Sequence, residues 1–304
     1  MIKKILVTGS NGTIGTRLCE KLMESGYTVR GVDWKHNQWN KNVDKITIIG
    51  DLRNKDIFKK LDKDYDLVIH LAANARVYDL VVEPDMAMDN ILTTYNTLDF
   101  VRKYNIKKFM FASSREVYGN TKKKILKEND ADIVNCESPY SASKISGEVL
   151  IRSYNRCYGL DFIIFRFSNV YGMYDNSDRV IPLFIRQCKK GQDLTVFGKE
   201  KMLDFTYIDD NVDGIMRCIT NFDKIKNDVI NIAYGKGTAI LNVAKIIKEK
   251  VNPNIKINLK DNRIGEVIKY TADISKMKKL GYSPKTGIVE GISKSIDWYN
   301  QNIR

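Results

Sequence analysis

A glycine-rich turn near the amino end constrains the fold more than any other feature of this sequence. A β-branched run at residues 5–8 leads directly into GSNGTIG at residues 9–15, and an amphipathic stretch follows. Glycines between a strand and a helix permit a tight turn and let backbone N–H groups at the helix start approach a phosphate. The segment therefore predicts a strand, a phosphate-binding turn and a helix, the opening unit of an α/β fold.

An acidic residue after the second predicted strand indicates which ligand this turn binds. Asp33 lies 18 residues after Gly15, close to the offset of a carboxylate that binds the ribose of a dinucleotide. An acid there favours NAD because it would repel the 2′-phosphate of NADP, although the nearby Lys35 leaves NADP open. After the third predicted strand, Asp51 is expected to accept from the adenine amino group while Leu52 packs on the ring. The candidate cofactor contacts in the turn are Gly9, Asn11, Gly12, Thr13, Ile14 and Gly15.

Short β-branched runs alternate with longer amphipathic stretches over the first half of the chain, which indicates βαβ units around a parallel sheet. The predicted strands are residues 5–8, 28–33, 46–49, 67–71, 109–113 and 162–165. Six strands at this spacing predict a doubly wound parallel Rossmann sheet. After residue 172 the elements shorten, with a strand at 229–232 and helices at 243–250 and 287–299. We expect a dinucleotide-binding domain at 1–171 and a smaller mixed α/β substrate domain at 172–304, with residues 206–250 packing back onto the first.

Composition argues against several classes of function. The formal charge is +13, but the basic residues are scattered and the dense run at 122–124 has no interleaved aromatics, so no nucleic-acid partner is expected. The only histidines, His36 and His70, are too few for a histidine-built zinc site or a Ser-His-Asp triad, and no metal is expected. Five cysteines without a Cys-x-x-Cys pair are typical of reduced thiols. Without a long apolar run or a cleavage site, the chain is expected to be soluble, unprocessed and cytoplasmic, with no membrane partner.

The chemical centre is predicted at Tyr140 and Lys144, in a helix that begins after Ser138-Pro139. A spacing of four residues places the phenol and the ammonium on one face of that helix. The nearby positive charge favours phenolate, which makes Tyr140 a candidate general base at neutral pH. Ser114, at the end of a predicted strand 26 residues earlier, is expected to hydrogen-bond the same substrate hydroxyl.

Motifs along nearly the whole chain, from Lys3 to about Trp298, carry a family resemblance. TGSNGTIG, GDLR, HLAAN, SSREVYG, SPYSASK, RFSNVYG, VFG and RIGEV occur in the order and register typical of one group of proteins. The chain resembles the extended short-chain dehydrogenase/reductases that act on nucleotide-diphosphate sugars. The resemblance implies NAD as the cofactor and a nucleotide-diphosphate sugar as the substrate. It also implies that Ser114, Tyr140 and Lys144 remove the proton of the sugar C4 hydroxyl while a hydride passes from C4 to NAD.

The resemblance further assigns residues to the cofactor. Asn90 and Lys144 correspond to positions on the nicotinamide side, and His70 is expected to pack at the strand end rather than act as an acid or base. The backbone of three residues is expected to run along the cofactor: Leu71, Ala72 and Ala73.

Substrate contacts are implied in the same way: Asn169 and Arg263 at the diphosphate, Phe197 with Val196 beside the nucleotide base, and Arg76 near the sugar. An arginine fork matches phosphate oxygens, and an aromatic face matches a base. Relatives usually carry a second phosphate-binding arginine in an Arg-Asp-Phe triplet, which here reads Leu203-Asp204-Phe205. We expect Lys201 to supply a point charge instead. Tyr270 resembles a gate beside the sugar C2 substituent, where a bulky residue disfavours N-acetylated sugars.

The two residues after Ser114 bear on the reaction. In 4,6-dehydratases of the family, a Thr-Asp-Glu triplet supplies an acid for the C6 hydroxyl and a base for the C5 proton, whereas this chain has Arg115 and Glu116 after the serine. Arginine cannot give up a proton, which argues against the dehydratase. Related dehydratases and UDP-glucuronate decarboxylases carry Thr-Ser-Glu, so both reactions, with Glu116 as base, stay open. Arg115 is expected either to hold a carboxylated sugar through a bidentate pair or to point to solvent.

A 4-epimerase needs no second acid or base, because the ketone turns over and takes the hydride back on its other face. We therefore favour an NAD-dependent 4-epimerase that acts on a UDP-hexose or UDP-hexuronate through a transient 4-keto sugar. Asp33 argues against a 4-ketoreductase that prefers NADPH, and the intact Ser114, Tyr140 and Lys144 argue against a non-catalytic dinucleotide sensor or RNA-binding relative. Many family members dimerise through two helices, here residues 90–104 and 139–158, so a homodimer is expected.

Overall fold

The computed structural model describes residues 2–303 and contains a central sheet of seven parallel strands. In chain order the strands are β1 Lys4–Thr8, β2 Thr28–Asp33, β3 Thr47–Ile49, β4 Leu67–His70, β5 Lys108–Ser114, β6 Asp161–Phe167, β7 Asn169–Tyr171, β8 Leu194–Phe197, β9 Met202–Tyr207, β10 Asp228–Ile232, β11 Gly237–Ala239 and β12 Ile257–Lys260. The central sheet has the order β10-β6-β5-β4-β1-β2-β3. Strand order reverses between β1 and β4, which places a crevice at the carboxyl ends of these two strands.

Helices connect these strands. They are α1 Thr13–Glu24, α2 Lys41–Ile46, α3 Val77–Val82, α4 Asp85–Lys103, α5 Pro139–Tyr158, α6 Val180–Lys189, α7 Ile208–Thr220, α8 Phe222–Ile225, α9 Ile240–Val251, α10 Ser275–Lys279 and α11 Ile288–Asn302. Short 3₁₀ helices occupy Lys55–Lys60, Arg115–Tyr118, Glu128–Asp130 and Ile133–Asn135. Within residues 2–303, no helix combines the length and the apolar character that crossing a membrane requires.

The central strands are apolar on both faces, which explains why helices cover both. In β1, Ile5 and Val7 belong to one apolar core, whereas Leu6 belongs to the second core. In β5, Met110 and Phe111 divide between the two cores in the same way. Strands buried on both faces are typical of parallel sheets between helical layers, and the predicted doubly wound α/β class is confirmed.

One strand begins later than expected, and the strand expected at 229–232 forms and joins the central sheet. The strand expected at 46–49 begins at Thr47, because residues 41–46 form α2. The strand expected at 229–232 lies at the edge of the central sheet, where Val229 of β10 pairs with Ile164 of β6. Its partner is chosen by tertiary packing, which a local pattern does not contain.

Two smaller sheets complete the structure. One has the order β11-β9-β7 and mixes parallel with antiparallel pairing, and the other pairs β12 with β8. Helices α6 and α11 pack against α9 beside these sheets, whereas α7 packs against α1. The exact division into 1–171 and 172–304 stays a prediction.

Candidate active site

Two adjoining cavities open at the carboxyl ends of β1 and β4. The first, of about 460 Å³, lies beside the ends of β2 and β3. The second, of about 580 Å³, reaches from the glycine turn to the end of β5 and the start of α5. Residues of the turn and of segment 71–73 line both, so one long ligand can pass from one cavity to the other.

The glycine turn fits a phosphate closely. Gly12 caps α1 without a side-chain hydrogen bond within the described chain, so the first N–H groups of the helix are available to a ligand. Gly9 has a φ of +71°, and a Cβ there would lie 2.7 Å from the Ala72 nitrogen. A Cβ on Gly15 would lie 2.0 Å from the Gly9 carbonyl oxygen. Ile14 lines the second cavity, as does Thr13, whose hydroxyl donates to the Tyr174 carbonyl at 3.1 Å.

Asp33 presents its carboxylate to the first cavity from the end of β2. It accepts from the backbone N–H groups of Asn11 at 3.0 Å and of Lys35 at 3.1 Å, while burial raises its pKa. These bonds fix the carboxylate where the ribose of a dinucleotide would lie. The Lys35 ammonium lies 5.0 Å from the centroid of the Trp34 ring.

Asp51, the acid expected to contact adenine, forms an ion pair within the protein. Asp51 lines the first cavity with Leu52, and the Arg53 guanidinium lies 2.6 Å from its carboxylate and lowers its pKa. Arg53 also pairs with Asp89 at 2.8 Å. The contact of Asp51 with adenine stays a prediction.

The predicted catalytic side chains meet in the second cavity. Tyr140 lies in the first turn of α5, where the Ser138 side chain caps the helix by accepting from the Ser141 N–H. Lys144 follows one turn later, and its Nζ lies 5.8 Å from the Tyr140 ring centroid. Ser114 lines the same cavity from the end of β5.

Burial changes the ionisation of this group. It raises the pKa of Tyr140, while the Ser114 hydroxyl and the Arg179 charge oppose part of that rise. Burial lowers the pKa of Lys144 to about 7, although its Nζ donates to the Ala112 carbonyl at 2.8 Å. A charged Lys144 favours the phenolate form of Tyr140, which is the form that accepts a proton.

The Asn90 side chain links the loop after β4 to α5 through hydrogen bonds. Its side-chain oxygen accepts from the Asn74 N–H at 2.7 Å, and its Nδ2 donates to the Asn74 carbonyl at 3.0 Å and to Ser143 Oγ at 3.2 Å. Leu71, Ala72 and Ala73 line the first cavity alongside it.

His70 ends β4 between two hydroxyls, with Thr8 Oγ1 at 2.7 Å and Thr94 Oγ1 at 3.2 Å. Burial lowers its pKa to about 3, so the imidazole is neutral at physiological pH and packs in the structure.

On the opposite wall, Arg263 lies between two aromatic rings. Its guanidinium is 4.0 Å from the centroid of Phe197 and 4.8 Å from that of Tyr78. Asn169 lines the cavity and donates to the Asp204 carbonyl at 3.1 Å. Val196, next to Phe197, is completely buried in the core.

Two ion pairs lie among the residues that line the second cavity. In the first pair, Arg115 Nη2 lies 2.6 Å from Glu116 Oε1, but the two groups are not aligned for a hydrogen bond. In the second pair, Lys201 contacts Glu266. Burial raises the pKa of Glu116 and lowers that of Lys201. Farther out, Arg76 pairs with Asp79 at 3.0 Å.

Of the triplet at 203–205 and Tyr270, some residues line the second cavity and others are buried away from it. Leu203, the first residue of this triplet, lines the second cavity. Asp204 is fully buried and accepts from the N–H groups of Tyr234, Gly235 and Ala272, and burial raises its pKa to about 7. Tyr270 is also buried and lines neither cavity. Its ring centroid lies 5.9 Å from the guanidinium of Arg115, which does line the second cavity.

Several cavity residues were not anticipated. Arg179 lies near the Tyr140 phenol, Tyr78 stacks on Arg263, and Glu266 holds Lys201. Only Glu266 carried a sequence signal, because it belongs to the RIGEV motif. The other two contacts join segments that are distant in sequence.

The chain is similar in sequence to a known protein family. Residues 5–233 match the model of the NAD dependent epimerase/dehydratase family. The chain belongs to this family. The membership inferred from the motifs is confirmed, and the Rossmann-type fold and NAD cofactor agree with it.

Individual relatives match this family member along nearly its whole length. A Methanocaldococcus jannaschii protein provisionally named a UDP-glucose 4-epimerase is 36% identical over 309 residues, covering 99% of each chain. A UDP-glucuronate 4-epimerase of Thermodesulfobacterium geofontis is 31% identical, covering 98% of this chain and 96% of its own. The crystal structure of Bacillus cereus UDP-glucuronic acid 4-epimerase with UDP-glucuronic acid and NAD is 30% identical, with a TM-score of 0.88 over 98% of this chain and 99% of its own.

Proposed function

We propose that this chain is an NAD-dependent 4-epimerase of a UDP-hexose or UDP-hexuronate, acting through a transient 4-keto sugar. The observation that carries the proposal is the position of Ser114, Tyr140 and Lys144. They line the second cavity, which extends from the phosphate-binding turn to Arg263 and Asn169.

NAD fits the first part of this path. The uncapped start of α1 would hold its pyrophosphate, Asp33 its ribose, and Asn90 and Lys144 would lie on its nicotinamide side. When bound, NAD accepts a hydride from sugar C4 and returns it to the opposite face.

The protein's own residues handle the proton and the orientation. Tyr140 Oη removes the C4 hydroxyl proton and later returns it, while Ser114 Oγ holds that hydroxyl by a hydrogen bond. Lys144, kept in place by the Ala112 carbonyl, stabilises the phenolate. Arg263 and Asn169 would hold the diphosphate, which leaves the sugar free to turn over between hydride transfers.

The 4,6-dehydratase and the decarboxylase, each with Glu116 as base, are the second candidates. Glu116 is 2% exposed and lines the same cavity, which favours neither reaction by itself. Arg115 stands where a dehydratase acid would be needed and cannot give up a proton. This favours epimerisation.

Proton NMR in D₂O tests the proposal. The purified protein is incubated with UDP-glucose, UDP-glucuronate and their C4 epimers, without added cofactor. Interconversion at C4 with no deuterium at C5 is the expected result. A 4-keto product with deuterium at C5 or C6 would instead establish the dehydratase or decarboxylase.

Glu116→Gln separates the same reactions by an independent route. The substitution removes a base but keeps the size of the side chain, so 4-epimerisation is expected to persist at a similar rate. Loss of turnover while NAD remains bound would contradict the epimerase and favour the reactions that need Glu116.

A homodimer through α4 and α5 is part of the proposal. The two helices pack side by side, and α4 exposes Met88, Leu92 and Tyr95 along one stripe, while α5 exposes Val149. Light scattering is expected to give the mass of a dimer, and Leu92→Glu is expected to shift it toward the monomer. A monomeric wild-type protein would refute this part.

We also propose a cytoplasmic location and no nucleic-acid partner. All five cysteines are free thiols, three of them buried, which suits a reducing compartment. Salt-sensitive retention of RNA by the purified protein would contradict the second statement.

A further inference from the structure

One buried nitrogen on the wall of the second cavity lacks a partner. Arg115 is 7% exposed, and its Nη2 lies near Glu116, but its Nη1 has no hydrogen-bond partner among residues 2–303. A guanidinium carries five N–H donors, and a buried donor without an acceptor is unfavourable. The arrangement therefore favours a ligand that brings an acceptor to Nη1.

Other basic side chains of this cavity already have partners in the protein. Four of them are Arg76 with Asp79, Arg179 with Asp175, Lys201 with Glu266, and Arg263 with the rings of Phe197 and Tyr78. Arg115 Nη1 is instead buried without an acceptor among the described residues, so an acceptor that a ligand brought to it would leave these other contacts in place.

Arg115 also lines the same cavity as Tyr140. It follows Ser114 directly, and both residues act on the Tyr140 phenol, each opposing the rise in pKa that burial causes. In the proposed reaction this phenol faces the C4 hydroxyl. In a pyranose, C5 adjoins C4 and carries C6, so a C6 substituent lies close to the same side chains. A carboxylate there accepts two parallel bonds from a guanidinium, which a hydroxymethyl group cannot do.

We propose that Arg115 is a specificity-determining residue that binds a carboxylate at sugar C6, so that the preferred substrate is a nucleotide-diphosphate hexuronate. The inference rests on the proposed 4-epimerase function and narrows its substrate class.

Glu116 is compatible with this anion. Its carboxyl is surrounded by Arg115, Lys201, Glu266 and the Val267 N–H; burial raises its pKa, and the two basic side chains oppose part of that rise. Neither oxygen has a hydrogen-bond partner in the described residues. In its protonated form, a carboxyl in this position can donate to the carboxylate of the sugar.

Isothermal titration calorimetry of the holoenzyme with UDP-glucuronate and UDP-glucose tests the proposal. The wild type is expected to bind UDP-glucuronate at least about 10-fold more tightly. Arg115→Met is expected to reduce this preference to within about 2-fold, by weakening UDP-glucuronate alone. Arg115→Lys keeps the charge without the fork and is expected to retain part of the preference.

Arg179→Met is the matched control, because it removes another arginine of the same cavity that acts on Tyr140. It is expected to keep the preference. No preference in the wild type, or a preference that survives Arg115→Met, overturns the proposal. If the single variant does not fold, Arg115→Met/Glu116→Gln removes both charges of the pair and tests the same preference.

The two proposals fail in different ways. Interconversion of UDP-glucose at C4 without a preference for UDP-glucuronate would refute only the role of Arg115. Binding of both nucleotide sugars without any interconversion would refute the epimerase, while the effect of Arg115→Met on the binding ratio would still decide the role of Arg115.

Discussion

Burial of Lys144 disfavours its charged form in the folded protein. Lys144→Met is therefore expected to raise the free energy of unfolding while it removes the proposed activity. The side chain is 4% exposed, its Nζ lies 5.8 Å from the Tyr140 ring centroid, and in the proposed reaction it stabilises the phenolate of Tyr140. Methionine has a similar length and no charge, so it can occupy the same space. The substitution therefore measures how much the buried ammonium of Lys144 lowers the free energy of unfolding.

The magnitude follows from the shifted pKa. Burial lowers the pKa of Lys144 from 10.5 to about 7, and at about 1.4 kcal/mol per pH unit the charged form is disfavoured by about 5 kcal/mol. Loss of the bond to the Ala112 carbonyl offsets about 1 kcal/mol. At about pH 6 the variant is therefore expected to exceed the wild type by about 4 kcal/mol in the free energy of unfolding.

The pH dependence has a definite sign. Above about pH 7 the folded wild type releases the proton, whereas the unfolded chain keeps it until its pKa of 10.5. Wild-type stability therefore rises relative to the variant by about 1.4 kcal/mol per pH unit over this window. The advantage of methionine is largest below pH 7 and shrinks as the pH rises.

Urea denaturation of the cofactor-free proteins at several pH values measures this difference. Lys250→Met, at an exposed position of α9, controls for the loss of a lysine side chain as such. Packing differences between lysine and methionine shift all points equally, so the slope with pH is the decisive quantity. A difference that does not change between about pH 7 and pH 10 would refute the reasoning.

Three further outcomes are expected. Tyr140→Phe should lower turnover by about 10²- to 10⁴-fold while calorimetry shows unchanged binding of the nucleotide sugar, and an active variant would remove the catalytic assignment. Gly15→Ala should lower the amount of NAD that copurifies, because the new Cβ would lie 2.0 Å from the Gly9 carbonyl oxygen. Gly12→Ala should lower it less, because its Cβ would lie 3.3 Å from the same oxygen. Equal NAD content in the two variants would contradict this. Glu148→Gln breaks the buried pair with Arg166, whose Nη2 lies 2.7 Å away, and should cost about 3–5 kcal/mol in urea denaturation, so a loss below about 1 kcal/mol would be inconsistent with it.

The sequence predicts the parts of the site that depend on local geometry. Tyr140 and Lys144 both reach the second cavity because residues four apart share a face of α5. Gly9 and Gly15 meet in one turn because the strand and the helix they separate follow each other directly. In both cases the distance along the chain sets the distance in space.

Contacts between distant segments are not predictable in this way. Tyr140 and Arg179 line the same cavity from the starts of α5 and α6, and no pattern in the sequence joins them. Tyr270 lies in an extended segment whose backbone bonds to Met202, and side chains in such a segment alternate between its two sides. Its distance along the chain from Arg263 therefore does not show whether its ring faces the cavity or the core.

The difference between Arg115 and Arg263 explains how the cavity can bind anions and still discriminate between sugars. Arg263 is held between the rings of Phe197 and Tyr78, so a phosphate that draws it away from one ring loses a contact of about 0.5–1 kcal/mol. Every nucleotide-diphosphate sugar meets that same cost, and it does not discriminate among sugars. Arg115 Nη1 is buried without a hydrogen-bond partner in the described chain, so an acceptor gains a bond at that nitrogen, while the rest of the guanidinium lies 2.6 Å from Glu116 and 5.9 Å from the Tyr270 ring centroid. Because only some sugars place a carboxylate near C4, discrimination is expected at Arg115 and general affinity at Arg263.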